Sequence, residues 1–120
     1  MLKAMFGGRT MPGLSPKDAV EKAAAGEITL VDVRDPGELA MSGKAEGALN
    51  IPLAVIRMQA DPRSPDYHPD LDTSKPVAVY CASGARSSMA AQVFEGFGFD
   101  VSNIGGLGHW QMAGGKITRG

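Results

Sequence analysis

Short apolar runs recur along this chain, and polar segments that begin like helices separate them. Residues 28–33 form a β-rich, nearly continuous apolar run, which is typical of a strand covered on both faces of a parallel sheet. Shorter runs at 48–51, 77–80 and 101–104 predict three more strands, and Pro52 ends the first of these. Strands that alternate with helices predict an α/β fold, with a small, mainly parallel sheet flanked by helices on both faces.

Two helix starts are marked by their capping residues. Ser15 is a favourable N-cap with Pro16 at the first helical position, and Gly26 is placed to end this helix. Asp35, followed by proline and then by Glu38 three residues after the cap, predicts a second, short helix. Further helical patterns cover residues 53–60 and 87–97, Gly105 and Gly106 indicate a turn, and a short segment surrounds Trp110.

The length of 120 residues indicates one domain. Residues 1–13 have no periodicity and predict a loose N-terminal lead-in, which leaves 14–120 as the domain itself. Several prolines fall within 61–76, so we interpret that stretch as a surface connection inside the domain, with a domain boundary as the alternative.

Composition narrows the classes of function. Hydrophobic residues make up 43% and charged residues 21% of the chain, as in ordinary globular proteins. The net charge is -1 and the basic residues are scattered, so we expect no nucleic-acid partner and no membrane-surface partner. No apolar run approaches the roughly 18 residues of a membrane span. We expect a cytoplasmic protein.

Cys81 is the only cysteine in the chain. A single cysteine excludes an internal disulfide, a Cys-x-x-Cys redox pair and a cysteine-rich zinc site, and it agrees with a reducing compartment. His68 and His109 have no ligand-like spacing to each other or to the cysteine, so we expect no metal and no cofactor.

Cys81 follows a predicted buried strand and precedes a predicted helix. Ligands gather at the carboxyl ends of parallel strands. The small residues Ser83, Gly84 and Ala85 let successive backbone N–H groups curl around an anion, and the helix N-terminus points at the same place. Arg86 adds a positive charge. These effects favour a thiolate over a thiol, as a nucleophilic sulfur requires.

Simpler interpretations of these residues stay open at this point. A lone cysteine is more often a small buried apolar residue than a nucleophile, and Arg86 is equally suited to capping backbone carbonyls. Ser83, Ser87 and Ser88 have no evident adjacent base, so we interpret them as loop and cap residues.

The cysteine loop resembles the active-site loop of the rhodanese family, Cys-x-x-Gly-x-Arg-Ser, represented here by Cys81, Gly84, Arg86 and Ser87. Three further segments resemble the family in the same order along the chain: residues 30–38, residues 47–53, and Gly105-Gly106-Leu107 with Trp110. Two positions depart from the family pattern. Lys44 stands where a histidine is usual, and Ala82 stands where a second arginine is frequent.

The resemblance implies sulfur transfer through a persulfide on Cys81. The donor would be thiosulfate or another small anionic or persulfide compound, and the acceptor a thiol, cyanide or a protein thiol. Asp32 and Arg34, at the end of the strand expected beside the cysteine strand, would form a buried pair that orients the loop. The resemblance assigns substrate binding to the loop residues Ala82, Ser83, Gly84, Ala85, Arg86 and Ser87.

Two other classes of function remain as alternatives. A rhodanese-like module can serve in binding or regulation without catalysis, although such modules usually lack the cysteine. Cysteine phosphatases and arsenate reductases also place a Cys…Arg loop on a helix N-terminus, but with five residues between the two. This chain has four, residues 82–85, which makes a tighter cup suited to a single sulfur atom.

Overall fold

A computed structural model describes residues 13–119. Residues 1–12 of the predicted N-terminal lead-in lie outside the described residues. The helices are α1 (Pro16–Ala24), α2 (Pro36–Ser42), α3 (Ile56–Gln59), α4 (Ala85–Gly96) and α5 (Leu107–Met112), with a 3-10 turn at Leu53–Val55. The strands are β1 (Thr29–Asp32), β2 (Lys44–Ala45), β3 (Leu49–Asn50), β4 (Val77–Cys81), β5 (Val101–Gly106) and β6 (Ile117–Thr118).

Four of these strands form one parallel sheet in the order β3-β1-β4-β5. Helices cover both faces of this sheet. On one face the core contains residues of α3 and α4, among them Ile56, Ala90 and Phe94. On the other it contains residues of α1 and α5, among them Ala19 and Trp110. The predicted fold class is confirmed.

The helix starts follow local sequence. The Ser15 hydroxyl accepts the Asp18 N–H at 3.0 Å, and the Asp18 carboxylate accepts the Ser15 N–H at 3.3 Å, so each satisfies a backbone donor of the first turn of α1. In α2 the Glu38 carboxylate likewise accepts the Asp35 N–H at 3.0 Å. The fourth helix begins at Ala85, two residues before the predicted start at Ser87.

The turn predicted at Gly105 and Gly106 is wrong, because β5 continues to Gly106. Val79 pairs with Asn103 and Cys81 pairs with Gly106, so β5 carries one residue more than β4 between these two pairs. Gly106 has extended backbone angles, φ −113° and ψ 170°, which keep it in the sheet beside the cysteine. The small antiparallel pair of β2 with β6 is a feature that the sequence did not predict.

Candidate active site

Cys81 is the last residue of β4, at the carboxyl edge of the parallel sheet. Its exposed fraction is 1%, whereas Ala82, Ser83 and Ala85 of the following loop are exposed. The sulfur therefore lies beneath the loop, in a cup whose rim is exposed.

Loop groups converge on the Cys81 sulfur from the helix side. The Gly84 N–H donates to Sγ at 2.9 Å and the Ser87 N–H donates at 3.4 Å, while the Ser87 hydroxyl oxygen lies 3.3 Å away. Burial of the thiol raises its pKa, but the hydroxyl, when it donates, and the backbone N–H groups outweigh that effect. The pKa of Cys81 is thus lowered, in the direction that a nucleophilic thiolate requires.

Glycine is required at two positions for this cup to close. Gly84 has a φ of +106°, in the left-handed region that favours glycine, and it directly precedes α4. A Cβ atom on Gly106 would overlap the carbonyl group of Ala82. The end of β5 therefore packs directly against the backbone of the cysteine loop.

Arg86 is held by a carboxylate from another element. Its two terminal nitrogens donate to the two Glu38 carboxylate oxygens at 2.6 and 2.9 Å, so the pair is bidentate. The hydrogen bonds from Arg86 are the main reason that the pKa of Glu38 falls to about 2. Much of the loop's positive charge is consequently balanced within the protein.

Asp32 and Arg34 form a buried ion pair with a shortest distance of 2.8 Å. The Arg34 guanidinium also donates to the Ser42 hydroxyl at 2.9 Å and to the Gly43 carbonyl at 2.5 Å, at the end of α2. Within residues 13–119, no hydrogen bond joins this pair to the cysteine loop. The pair contacts the end of α2, the helix that carries Glu38.

Asn103 and Glu38 are two supporting residues that the sequence analysis did not find. The Asn103 Oδ1 atom accepts from the Ser87 hydroxyl at 2.7 Å, and its Nδ2 atom donates to the Gly84 carbonyl at 3.1 Å. No sequence signal marks Asn103. Glu38 caps α2 as predicted, and its place after β1, at the same sheet edge as Cys81, is the sequence signal for its second role beside the loop.

Each of the two histidine rings accepts a hydrogen bond from a backbone N–H group. The His109 Nδ1 atom accepts the Gly106 N–H at 2.9 Å, and the His68 Nδ1 atom accepts the Asp70 N–H at 3.1 Å. In the part of the chain from 13 to 119, no three or more histidine, cysteine, aspartate or glutamate side chains are grouped to hold a metal ion. None of the helices there is long and apolar enough to cross a membrane.

The family model for the rhodanese-like domain matches residues 15–113, which is most of the chain. The chain belongs to the rhodanese-like domain family. The match includes the cysteine loop and every strand of the parallel sheet.

Relatives of this rhodanese-like domain include a sulfurtransferase from Allochromatium vinosum, 34% identical over 92 residues, covering 73% of this chain and 76% of the relative. An HTH-type transcriptional regulator from Mycobacterium tuberculosis is 33% identical over 116 residues. That match covers 88% of this chain, which spans 47% of the regulator's length.

Two solved structures are similar. One is a Rhodopseudomonas palustris protein of unknown function, described as a possible tyrosine phosphatase, with a TM-score of 0.77, 33% identity and coverage of 88% and 83% of the two chains. The other is the human single-domain sulfurtransferase, with a TM-score of 0.72, 25% identity and coverage of 85% and 96%.

The two departures from the rhodanese pattern have distinct surroundings. Lys44 lies in β2, where its ammonium donates to the Ala48 carbonyl at 3.0 Å. Ala82 is exposed on the rim of the cup, directly after the cysteine. The loop residue at that position therefore adds no charge.

Proposed function

We propose that this rhodanese-like domain is a sulfurtransferase that carries sulfur as a persulfide on Cys81. The observation that supports this most is the set of donors around the sulfur, with backbone N–H groups at 2.9 and 3.4 Å. These groups favour the thiolate, and they suit the negative charge that develops during sulfur transfer. The named sulfurtransferases among the relatives support the same chemistry.

In the first step, the Cys81 thiolate attacks the outer sulfur of a donor such as thiosulfate. A bond forms between Sγ and that sulfur. The sulfur–sulfur bond of the donor breaks, and its electron pair leaves with sulfite. The product is a persulfide on Cys81 whose outer sulfur carries the negative charge.

In the second step, a thiolate or cyanide acceptor attacks the outer sulfur. The bond to Sγ breaks, its electron pair returns to the cysteine, and the thiolate is regenerated. The outer sulfur leaves as part of a persulfide or of thiocyanate. Covalent catalysis of this kind divides one difficult transfer into two easier ones.

The charges around the cup support a weakly anionic donor. Arg86 is paired with Glu38, and Ala82 contributes no charge, so a dianion such as thiosulfate meets little free positive charge at the loop. We therefore propose that a low-molecular-weight or protein persulfide is a better donor than thiosulfate.

The loop of four residues between Cys81 and Arg86 supports sulfur over phosphate as the group transferred, since a phosphoryl group needs space for three oxygens.

The proposal is tested by weighing the intact protein after incubation with thiosulfate or with a persulfide donor. We expect a gain of one sulfur mass, complete at a lower concentration of the persulfide donor. Adding cyanide should remove the gain. The matched control Cys81→Ser should fold normally and gain nothing.

The non-catalytic alternative gives a different result. A binding module would leave the mass of the wild-type protein unchanged with every donor. A sulfur gain in Cys81→Ser equal to that of the wild type would also contradict the persulfide mechanism.

A further inference from the structure

The Ser87 hydroxyl has one proton and several neighbouring acceptors. The Asn103 Oδ1 atom lies 2.7 Å from the hydroxyl oxygen, the Gly84 carbonyl lies at 3.1 Å and the Cys81 sulfur at 3.3 Å. Ser87 is fully buried, so water does not supply further donors there. The proton can bond strongly with one of these partners at a time.

The orientation of the Asn103 amide is fixed by its other partners. Its Oδ1 atom accepts the Gly105 N–H at 2.9 Å, and its Nδ2 atom donates to the Gly84 carbonyl at 3.1 Å. A flipped amide would place its NH2 group against the Gly105 N–H and its oxygen against the Gly84 carbonyl, and both contacts would be unfavourable. Oδ1 therefore accepts, and Ser87 donates to it at 2.7 Å.

This arrangement suits an uncharged Cys81 sulfur. With its proton on the Asn103 side, the Ser87 oxygen turns a lone pair towards the sulfur and can accept an S–H. A thiolate instead needs the hydroxyl proton itself. Rotation about the bond between Cβ and Oγ of Ser87 moves the proton from Oδ1 to Sγ without moving any heavier atom.

We propose that Asn103 is a positioning residue that holds the Ser87 proton while the Cys81 sulfur is uncharged and yields it when the sulfur becomes anionic. The hydroxyl keeps its proton throughout, and only the direction of donation changes. Asn103 thus competes with the sulfur for this hydrogen bond. It controls how strongly the loop stabilises the thiolate.

The second half of this inference rests on the proposed sulfur transfer. In the persulfide, Sγ is bonded to the outer sulfur and carries no charge, so the Ser87 proton returns to Asn103. When an acceptor removes the outer sulfur, Sγ leaves as a thiolate and takes the hydrogen bond again. The switch would stabilise the leaving group in the second step and leave Sγ of the persulfide without the hydroxyl hydrogen bond.

Other charged groups near the cup keep their partners in this switch. Arg86 of α4 is paired with Glu38 of α2, and the Asp35 carboxylate also attracts the Arg86 guanidinium electrostatically. Asp32, the last residue of β1, is buried and paired with Arg34, which follows the strand. The His109 ring of α5 accepts the Gly106 N–H.

The test measures the ratio of thiolate to thiol at Cys81 from ultraviolet thiolate absorbance, each variant being compared with the same variant carrying Cys81→Ser. Ser87→Ala should lower the ratio about three- to tenfold at a fixed pH, because the anion loses a donor. Asn103→Leu should raise the ratio, because the Ser87 proton loses its nearest competing acceptor. In the Ser87→Ala background, Asn103→Leu should not raise the ratio. Ser88→Ala, at an exposed neighbour, is the matched control and should leave the ratio unchanged.

If Asn103→Leu fails to fold, Asn103→Asp tests the same coupling. The carboxylate should hold the Ser87 proton more tightly, so it should lower the ratio more with Ser87 present than in the Ser87→Ala background. Equal effects in both backgrounds would overturn the proposal and leave Asn103 as a loop support. A raised or unchanged ratio in Ser87→Ala would also overturn it. These measurements need no sulfur donor, so their outcome is separate from that of the mass experiment.

Discussion

The Glu38 carboxylate accepts hydrogen bonds from two segments of the chain. Its Oε1 atom accepts the Asp35 N–H at the start of α2, and both of its oxygens accept from Arg86 in the cysteine loop. A single side chain thereby fixes the start of one helix and the position of the loop. The exposed fraction of each side chain in the ion pair is 35%, so water screens part of the attraction.

The stability that Glu38 contributes should depend on pH. Its pKa is lowered from 4.5 to about 2, so the contribution is complete above about 4.5 and is lost as the pH falls towards 2. Glu38→Gln should therefore be less stable than the wild type near neutral pH, by at most about 1 kcal/mol. It should melt at a correspondingly lower temperature. The difference should shrink as the pH is lowered through that window.

Thermal melting followed by circular dichroism over this pH range is the measurement. Glu95→Gln, at an exposed glutamate in the last turn of α4, is the matched control and should show a smaller difference near neutral pH. A gap between wild type and Glu38→Gln that widens on acidification would contradict the assignment.

Elements defined by local signals were predicted well from the sequence. Ser15 and Pro16 mark the start of α1, because capping depends on residues within one turn. The buried strands were found from their apolar runs. The pairing of β2 with β6 could not be predicted, because Lys44 and Thr118 are far apart in the sequence and come together only in the folded chain. Strands of two residues also show no periodicity.

The same distinction applies to the candidate site. Cys81 and its loop could be predicted, since the strand, the loop and the helix are consecutive in the chain. The partners Glu38 and Asn103 lie on other elements, and their contacts depend on the order of strands in the sheet. The extension of β5 to Gly106 was missed for the same reason, because the pairing with Cys81 decides it.

The packing of β5 against the cysteine loop gives a prediction at the scale of elements. Gly106→Ala places a methyl group against the Ala82 carbonyl, and backbone at that contact cannot yield cheaply. We expect a loss of about 1–3 kcal/mol in stability and a marked fall in sulfur loading, because the loop must shift. Gly108→Ala, in α5 with open space at its Cβ position, is the matched control and should be neutral or slightly stabilising.

Denaturant unfolding and intact mass after donor treatment give the two measurements. Normal loading in a stable Gly106→Ala protein would show that the close approach of β5 is not needed for the shape of the loop.

At the scale of the whole molecule, the parallel sheet separates two cores. Phe94 packs on one face, with its ring 5.2 Å from that of Phe99 in an edge-to-face contact. Trp110, the only tryptophan, is buried on the other face. Because β1 and β4 contribute residues to both cores, loss of one should expose the other.

We therefore expect residues 14–120 to unfold as one cooperative unit. Phe94→Leu should lower stability by about 1–3 kcal/mol. The midpoint of unfolding should shift equally by circular dichroism and by Trp110 fluorescence, although the substitution lies on the opposite face. Met41→Leu, at a methionine that is 81% exposed, should leave both midpoints in place. Separate transitions for the two probes would contradict a single domain.

The burial of the Cys81 sulfur beneath an exposed rim has a consequence for regiochemistry. A persulfide places its outer sulfur about 2.05 Å beyond Sγ, towards the open side of the cup. An incoming thiol can then reach the outer atom, while the inner atom, on a residue only 1% exposed, stays shielded by the loop. Attack on the inner atom would release hydrogen sulfide and leave a mixed disulfide on the protein. In the proposed mechanism, the burial of Sγ would thus direct the acceptor to the one sulfur whose capture returns the cysteine free for another turnover.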